Sequence, residues 1–285
     1  MARIAIVSKP QKEELGRLLP ELIVWLRARG YDPLLDEESA CYTSDAPAAP
    51  RAELPSHDPE LVIVLGGDGT LLSVGRIFAS KGTPLLSVNL GTLGFLTEVR
   101  LTDLYLTLES WCRDCHLIEK RAMLRAELWR ESQMHSEYDA LNDIVVTKGE
   151  IARMGEFAVE VDGKPAAQFR ADGVIVSTPT GSTAYNLAAN GPILMPNVDA
   201  LIVTPICPHL LTLRPIVVRG GASLTVRVEG IPNLALLTVD GQSAVELRLG
   251  DEIHCHRSPH TVNLVRLHEG GFFEALRTKL SWGER

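Results

Sequence analysis

The chain of 285 residues carries 28 Lys and Arg against 36 Asp and Glu, a formal net charge of −8, and 45% of its residues are hydrophobic. This composition is typical of a globular protein, and it excludes a disordered, collagen-like or coiled-coil chain. Because an acidic surface repels phosphate backbones and anionic lipid, we expect neither nucleic acid nor a membrane as partner. Five cysteines and no secretory pattern at the amino terminus predict a cytoplasmic protein.

The first hundred residues alternate apolar runs with amphipathic stretches. The runs Arg3–Val7, Leu61–Leu65 and Leu85–Val88 predict buried strands, and Glu13–Arg29 and Leu71–Ser80 predict helices. Strands that alternate with helices are typical of a parallel sheet, so we predict an α/β domain.

Two segments interrupt this regular pattern. Pro20 lies inside the first predicted helix, where proline removes a backbone hydrogen bond, so the pattern does not establish one continuous helix. Residues Asp36–Glu60 hold seven acidic residues, one basic residue and four prolines. We predict a loop or mobile flap there rather than a folded element.

Beyond Cys115 the chain consists of short apolar segments bounded by turn residues. These segments lie at Met123–Trp129, Ile144–Thr147, Phe157–Val161, Val174–Ser177, Ser223–Val228, Ala235–Val239 and Ala244–Leu249. Asp162-Gly163 and Asp240-Gly241 predict hairpin turns. We therefore predict a β-rich second domain over residues 104–261, all-β and sandwich-like. A last helix at Gly271–Leu280 would complete the first domain, which comprises residues 1–103 and 262–285.

The strongest local motif is Leu65-Gly66-Gly67-Asp68-Gly69-Thr70, which follows a predicted strand and precedes a predicted helix. Glycines allow a sharp turn and leave N–H groups open to an anion at the helix amino terminus, so Gly66, Gly67 and Thr70 are candidates for a phosphate loop. Thr70 is also a candidate cap of that helix. Asp68 in such a turn can accept a proton or engage a metal ion; the alternative is a purely structural Asp-Gly turn.

A second strand-to-helix turn lies in Asp172–Tyr185, with a helix start predicted at Ser182 or Thr183. Its hydroxyl groups and one aromatic ring suit a nucleoside, and the alternative is a capped loop. Two such turns in one chain favour a nucleotide ligand. Asn142-Asp143 and Gly91–Leu96 are weak motifs on their own.

Together these motifs resemble the NAD kinase family. The resemblance rests on Gly66–Thr70, Gly91–Leu96, Asn142-Asp143, Asp172–Tyr185 and Asp240–Gln242, which occur in the family's order. It implies transfer of the γ-phosphoryl group of ATP to the 2′-hydroxyl of the adenosine ribose of NAD, giving NADP. It also implies a Rossmann-like α/β amino-terminal domain, a β-rich carboxyl-terminal domain, a divalent cation (Mg²⁺ or Mn²⁺) and a homodimer or homotetramer.

The resemblance further implies roles for single residues. Asp68 resembles the family's proton acceptor, with Gly69 beside it in the NAD site, and Asn142 and Asp143 resemble the ribose-binding pair. The other positions that it assigns to nucleotide binding are Phe95, Arg153, Arg170, Asp172, Thr183, Ala184, Tyr185, Asn186, Leu187, Ala188 and Gln242.

Two other functions fit parts of the sequence. A sugar or lipid kinase would share the Gly-Gly-Asp-Gly turn, and a non-catalytic NAD(P)-sensing module would share the nucleotide-binding segments. The sensing module would be expected to lack Asp68 or the pair Asn142-Asp143. Cys112-x-x-Cys115-His116 has the spacing of haem attachment, which requires export, so we interpret these cysteines as incidental.

Overall fold

In a computed structural model the chain divides into two compact units, residues 1–120 with 262–285 and residues 121–261. The structure describes residues 1–91, 94–149, 154–230, 235–266 and 271–282. The first unit is an α/β domain and the second is β-rich. Residues 104–120, which the sequence analysis placed in the second domain, belong to the first unit because Leu104 and Leu108 pack into its core.

The first unit is built on a parallel sheet. Its first elements, in chain order, are β1 (Ala2–Ser8), α1 (Leu15–Arg27), β2 (Tyr31–Leu35), α2 (Glu37–Ala40), β3 (Leu61–Gly66), α3 (Asp68–Phe78), β4 (Leu85–Asn89), β5 (Val99–Arg100) and α4 (Leu104–Cys112). The strand order is β2-β1-β3-β4, all parallel, and Leu264 from the end of the chain pairs in parallel with Leu85.

The three predicted strands of this unit are confirmed, and α1 continues through Pro20 as one helix. Its leucines pack into the core of the unit, and that packing outweighs the lost hydrogen bond. The sequence analysis missed β2, which contains Pro33. The strand lies at the edge of the sheet, where proline is tolerated.

The prediction of a mobile loop over Asp36–Glu60 is wrong. The Asp36 carboxylate caps α2 by accepting a hydrogen bond from the Ser39 N–H at 2.9 Å. Arg51 donates to the same carboxylate from Nη2 at 2.6 Å, and Leu54 is fully buried in a short 3₁₀ helix, Arg51–His57. The acidic composition of the segment did not reveal that the ion pair between Arg51 and the buried Asp36 anchors it.

The second unit consists mainly of antiparallel strands. The elements from α4 onward are β6 (Leu117–Arg130), β7 (Gln133–Ala140), β8 (Asp143–Lys148), β9 (Gly155–Val161), β10 (Lys164–Ala171), β11 (Gly173–Ser177), α5 (Tyr185–Ala188), β12 (Ala200–Ile206), β13 (Ile216–Arg219), β14 (Leu224–Gly230), β15 (Ala235–Val239), β16 (Ser243–Leu247), β17 (Glu252–Arg266) and α6 (Gly271–Leu280). The end of β17 and the predicted helix α6 belong to the first unit.

Two sheets form the second unit. One has the order β13-β12-β11-β8-β15-β16, and the other contains β10-β9-β14-β17, with β6 pairing with β17 and β7. Alternate residues of both sheets, such as Val174 and Val176 on β11 and Phe157 and Val159 on β9, share one buried core. This alternation is that of a sandwich in which each sheet turns one face inward.

Both predicted hairpin turns are present. Asp162 and Gly163 join β9 to β10 with φ of 51° and 71°, and Asp240 and Gly241 join β15 to β16 with φ of 49° and 65°. Two consecutive residues with positive φ define the turn type that favours Asp-Gly.

Candidate functional site

The glycine turn of the first unit lies between β3 and α3. Gly66 ends β3, Gly67 is the helix N-cap, and Asp68 and the exposed Gly69 open the helix. The prediction that Thr70 caps this helix is wrong, because the N-cap makes no side-chain bond and Thr70 lies within the first turn. The N–H groups of Thr70 and Leu71 donate to the Gly67 carbonyl oxygen at 3.0 and 3.2 Å. A helix amino terminus directly after a glycine turn is a position that favours an anion.

This turn lies at the carboxyl edge of the parallel sheet. The N–H of Lys9, just after β1, donates to the carbonyl oxygen of Leu65 at 2.8 Å, so the ends of β1 and β3 are adjacent. In the order β2-β1-β3-β4, the strand that follows β1 in sequence lies on one side of β1, and β3 and β4 lie on the other. The strand order therefore reverses between β1 and β3. Open α/β sheets bind ligands at such a switch point.

The Asp68 carboxylate accepts four hydrogen bonds from a single loop. Oδ1 accepts from the N–H of Leu96 and of Thr97, each at 3.1 Å, and from the Thr97 hydroxyl at 3.0 Å. Oδ2 accepts from the N–H of Phe95 at 2.9 Å. Asp68 therefore does more than make a turn, since its carboxylate is held in one orientation by residues 95–97.

The structure thus brings the predicted Phe95 beside the predicted Asp68. Thr97 is a site residue that the sequence analysis missed, since its hydroxyl group contacts Asp68 directly. Threonine after an apolar run carries no distinctive pattern, and only the fold shows this contact. Thr92 and Leu93 of the same motif lie outside the described residues.

A second cluster of predicted residues forms in the β-rich unit. Because β8 runs antiparallel to both β11 and β15, its first residue lies beside the last residues of these two strands. Asn142-Asp143, the segment after Ser177, and the turn Asp240–Gln242 therefore meet at one edge of the six-stranded sheet. Gln242 is exposed at this edge.

Asp240 anchors this cluster, a role that the sequence analysis did not assign. Its carboxylate accepts hydrogen bonds from the N–H groups of Leu141, Asn142 and Asp143, at 3.0, 2.7 and 3.1 Å. Burial, and secondly the neighbouring Asp240 charge, raises the pKa of Asp143 to about 7. Asp143 thus titrates near neutral pH beside a carboxylate that is fixed by backbone donors.

The loop after β11 is folded tightly against Asn142. The Thr178 hydroxyl donates to the carbonyl oxygen of Leu141 at 2.6 Å, and the Thr178 N–H donates to that of Asn142 at 2.9 Å. A 3₁₀ helix, Thr180–Thr183, then leads into α5, which begins at Tyr185 rather than at Ser182 or Thr183.

The predicted binding residues of this loop differ in what they present to solvent. Tyr185 and Ala188 are exposed, and Thr183, Ala184 and Leu187 are half-buried. Asn186 is fully buried. Its Nδ2 donates to the carbonyl oxygens of Ser182 and Pro192, each at 3.0 Å, and its Oδ1 accepts from the Thr204 hydroxyl at 2.7 Å. The side chain of Asn186 holds the loop together and presents no free group to a ligand.

Arg170 and Asp172 lie at the other end of β11. Asp172 precedes the strand and pairs with Lys148 at 2.6 Å, whereas Asn142 and Asp143 lie by Ser177 at its far end. The five residues of β11 separate the two ends by ~16 Å. The structure therefore does not bring Asp172 to the Asn142-Asp143 cluster.

Arg170 Nε donates to the Glu156 carboxylate at 2.6 Å, and both residues line a cavity of about 410 Å³ with Met154 and His209. Arg153, which the resemblance assigns to the same group of basic contacts, lies outside the described residues.

The other candidate motifs form no metal site within the described ranges. All five cysteines are free, and no group of three or more His, Cys, Asp or Glu in this part of the chain is arranged to hold a metal ion. Among these residues no helix is long and apolar enough to cross a membrane.

Comparison with known proteins gives consistent matches along the chain. A family model described as the ATP-NAD kinase N-terminal domain matches residues 4–114, and one described as the ATP-NAD kinase C-terminal domain matches residues 141–267. A curated NAD kinase of Acidobacterium capsulatum is 65% identical over the full length of both chains.

Two solved structures extend the comparison to the fold. The crystal structure of yeast NADH kinase complexed with NADH has a TM-score of 0.89 at 25% identity, covering 100% of this chain and 89% of the yeast chain. An NAD kinase from Archaeoglobus fulgidus in complex with ATP has a TM-score of 0.76 at 25% identity, covering 98% of each chain.

Proposed function

From the premise that this chain belongs to the NAD kinase family, we propose that it transfers the γ-phosphoryl group of ATP to the 2′-hydroxyl of the adenosine ribose of NAD, yielding NADP and ADP. The observation that carries the proposal is the Asp68 carboxylate, which is fixed at the amino terminus of α3 directly after a glycine turn. The turn suits a phosphate group, and the carboxylate suits a hydroxyl group.

Asp68 is the proposed proton acceptor. As the ribose oxygen bonds to the γ-phosphorus and the bond to the ADP oxygen breaks, the hydroxyl proton passes to Asp68. Because this transfer has a loose transition state, positioning of the hydroxyl group and neutralisation of charge dominate catalysis. The N–H groups around Gly66 and Gly67 contribute to the neutralisation, and Asp68 contributes mainly by orienting the hydroxyl group.

The second cluster is the proposed nucleotide-binding region. Asn142 and Asp143 are assigned to the ribose, and the exposed Tyr185 and Gln242 to further contacts, with Thr183–Ala188 as the surrounding loop. Their meeting at one sheet edge supports a shared ligand. Phe95 and Gly69 belong to the same proposal through their position beside Asp68.

Four assigned residues are supported less directly. Arg170 and Asp172 pair with Glu156 and Lys148 at the other end of β11, and their assignment rests on the family resemblance alone. Arg153 rests on the same ground. Asn186 supports the loop rather than contacting the ligand through its side chain.

A divalent cation, Mg²⁺ or Mn²⁺, is compatible with the glycine turn around Asp68, although this turn offers few protein ligands. Mg²⁺ in kinases is held by one or two carboxylates together with substrate phosphates, so the chain does not need a dedicated set of ligands. The cation would arrive bound to the phosphates of ATP, and no residue of this chain is assigned to it. Bound to the triphosphate, the cation would neutralise developing charge.

Three finer features complete the proposal. The first domain is Rossmann-like, which its parallel order and its glycine turn after β3 support. A homodimer or homotetramer and a cytoplasmic location remain predictions from the sequence.

The function is tested by incubating the protein with Mg²⁺, ATP and NAD and coupling the product to an NADP-specific dehydrogenase. Formation of NADP dependent on both substrates is the expected result. NAD binding without product would favour the sensing module, and phosphorylation of fructose 6-phosphate or diacylglycerol in place of NAD would favour a sugar or lipid kinase.

A further inference from the structure

We propose that Thr97 is a positioning residue for the reaction, holding oxygen Oδ1 of Asp68 so that Oδ2 is the atom that receives the ribose proton. The inference rests on the proposed function, in which Asp68 is the proton acceptor. It assigns separate tasks to the two oxygens of one carboxylate.

The hydrogen bonds of Asp68 are distributed unequally between its two oxygens. Within the part of the chain that the structure describes, Oδ1 accepts three, from the N–H groups of Leu96 and Thr97 and from the Thr97 hydroxyl, whereas Oδ2 accepts one, from Phe95. A carboxylate offers about four lone-pair sites in all, roughly two on each oxygen. Oδ1 is therefore fully occupied, and the described residues leave one site on Oδ2 that a substrate hydroxyl group can fill.

The direction of the Thr97 hydroxyl hydrogen follows from its second neighbour. Asn89 Nδ2, at the end of β4, lies 3.0 Å from Thr97 Oγ1. An amide NH₂ group can only donate, so the hydroxyl oxygen accepts from Asn89 and its own hydrogen points to Asp68. Thr97 is fully buried, so its hydroxyl group makes these hydrogen bonds in a low-dielectric environment, where they are stronger than in water.

Buried groups hold the backbone of the same loop in place. The carbonyl oxygen of Leu96 accepts hydrogen bonds from the Ser87 hydroxyl at 3.0 Å and from Arg266 Nη1 at 3.3 Å. Arg266 is only 5% exposed, and it pairs with Glu98 at 3.3 Å and Glu119 at 3.0 Å. Moving the loop would break a buried charged network, so the donors on Asp68 form a rigid support.

The experiment compares Thr97→Val, Thr97→Ser and Thr107→Val with the wild type in NADP formation, measuring kcat, the KM for NAD and for ATP, and Tm. Thr97→Val removes the hydroxyl group at nearly constant shape. Thr97→Ser keeps it. Thr107→Val is the matched control, because Thr107 is also fully buried in the first unit and loses a hydroxyl bond to the Asp103 carbonyl oxygen in α4.

We expect Thr97→Val to lower kcat about ten- to a hundredfold, the effect of losing one hydrogen bond to a charged group, with both KM values unchanged. Thr97→Ser should recover most of the activity, and Thr107→Val should lower Tm without lowering kcat. Normal kcat in Thr97→Val, or a Thr97→Ser as slow as Thr97→Val, overturns the proposal.

If Thr97→Val does not fold, Thr97→Ala removes the same hydroxyl group with a smaller side chain, and an unchanged kcat in that variant overturns the proposal. Failure of this proposal is separable from failure of the proposed function, because the wild type then still forms NADP.

Discussion

A Cβ atom built on Gly94 would lie 2.0 Å from Oδ1 of Asp68 and 2.4 Å from the hydroxyl oxygen of Thr97. No side chain fits in that space, so glycine at this position allows the loop to close on the carboxylate. We expect Gly94→Ala to displace Asp68 and to lower kcat on the order of a hundredfold, the cost of a displacement near 1 Å. Steady-state kinetics checks this.

Gly16→Ala is the matched control for that variant. Gly16 lies in α1 of the same unit with no atom within 4 Å of its built Cβ, so its kcat should equal that of the wild type. Wild-type turnover in Gly94→Ala would show that the loop tolerates a shifted carboxylate.

Replacing Asp68 by asparagine tests its proposed role as proton acceptor. Asp68→Asn should reduce kcat about 10²–10⁴-fold, the range for loss of a general base, while the Kd for NAD from calorimetry stays near the wild-type value. Asparagine keeps one acceptor oxygen but turns an NH₂ group toward another donor, so we also expect a lower Tm. Asp103→Asn controls for loss of an acidic residue in the same unit. A variant with near-normal turnover would refute the assignment.

The carboxyl group of Asp143 should make stability depend on pH. Its pKa is raised to about 7 in the folded protein from 3.8, so between these values the folded state binds more protons than the unfolded state. The free energy of unfolding should therefore fall as pH rises from about 4 to about 7, by on the order of 2–4 kcal/mol.

Urea unfolding at several pH values measures this dependence. Asp143→Asn should remove it, and Asp199→Asn, which alters an exposed pair with Arg257 in the same unit, should leave it in place. An identical pH dependence in wild type and Asp143→Asn would contradict the assignment.

The pair Arg51–Asp36 should contribute more to stability than any exposed ion pair. Asp36 is fully buried, and Arg51→Met would leave its charge without a cationic partner, at a cost of about 3–5 kcal/mol in the free energy of unfolding. Arg17→Met removes an exposed pair with Glu21 and should cost less than ~1 kcal/mol. Equal effects of the two variants in urea unfolding would show that Asp36 is not held by Arg51.

Apolar runs and turn residues predicted much of this fold. Leu61–Leu65 has no alternation because a central parallel strand is covered on both faces, and Asp240-Gly241 has the backbone preference of its hairpin. By contrast, β7 and β10 carry mostly polar, exposed residues and have no apolar pattern of their own. They become strands by pairing with β6 and β9. Patterns within one segment do not contain that information.

The candidate site was predictable only where a local motif carries it. Gly66–Gly69 and Asn142-Asp143 were found from their neighbours in sequence. Thr97 was not found, and Asp240 was identified as a turn and motif residue but not as an anchor. Each acts by hydrogen bonds to residues far away in the chain, 29 positions for Thr97 and 98 for Asp240 with Asn142. Asn186 was assigned to the ligand, and only the partners Ser182, Pro192 and Thr204 show its structural role.

The first unit is assembled from two segments of the chain, residues 1–120 and 262–285, and this arrangement sets an order on biosynthesis. The strand partner of Leu85 and the arginine behind Leu96 are translated only after residues 121–261 have been made. A nascent chain can thus complete its β-rich unit while the loop that holds Asp68 still lacks Arg266, and premature termination before codon 266 would leave that loop without this support.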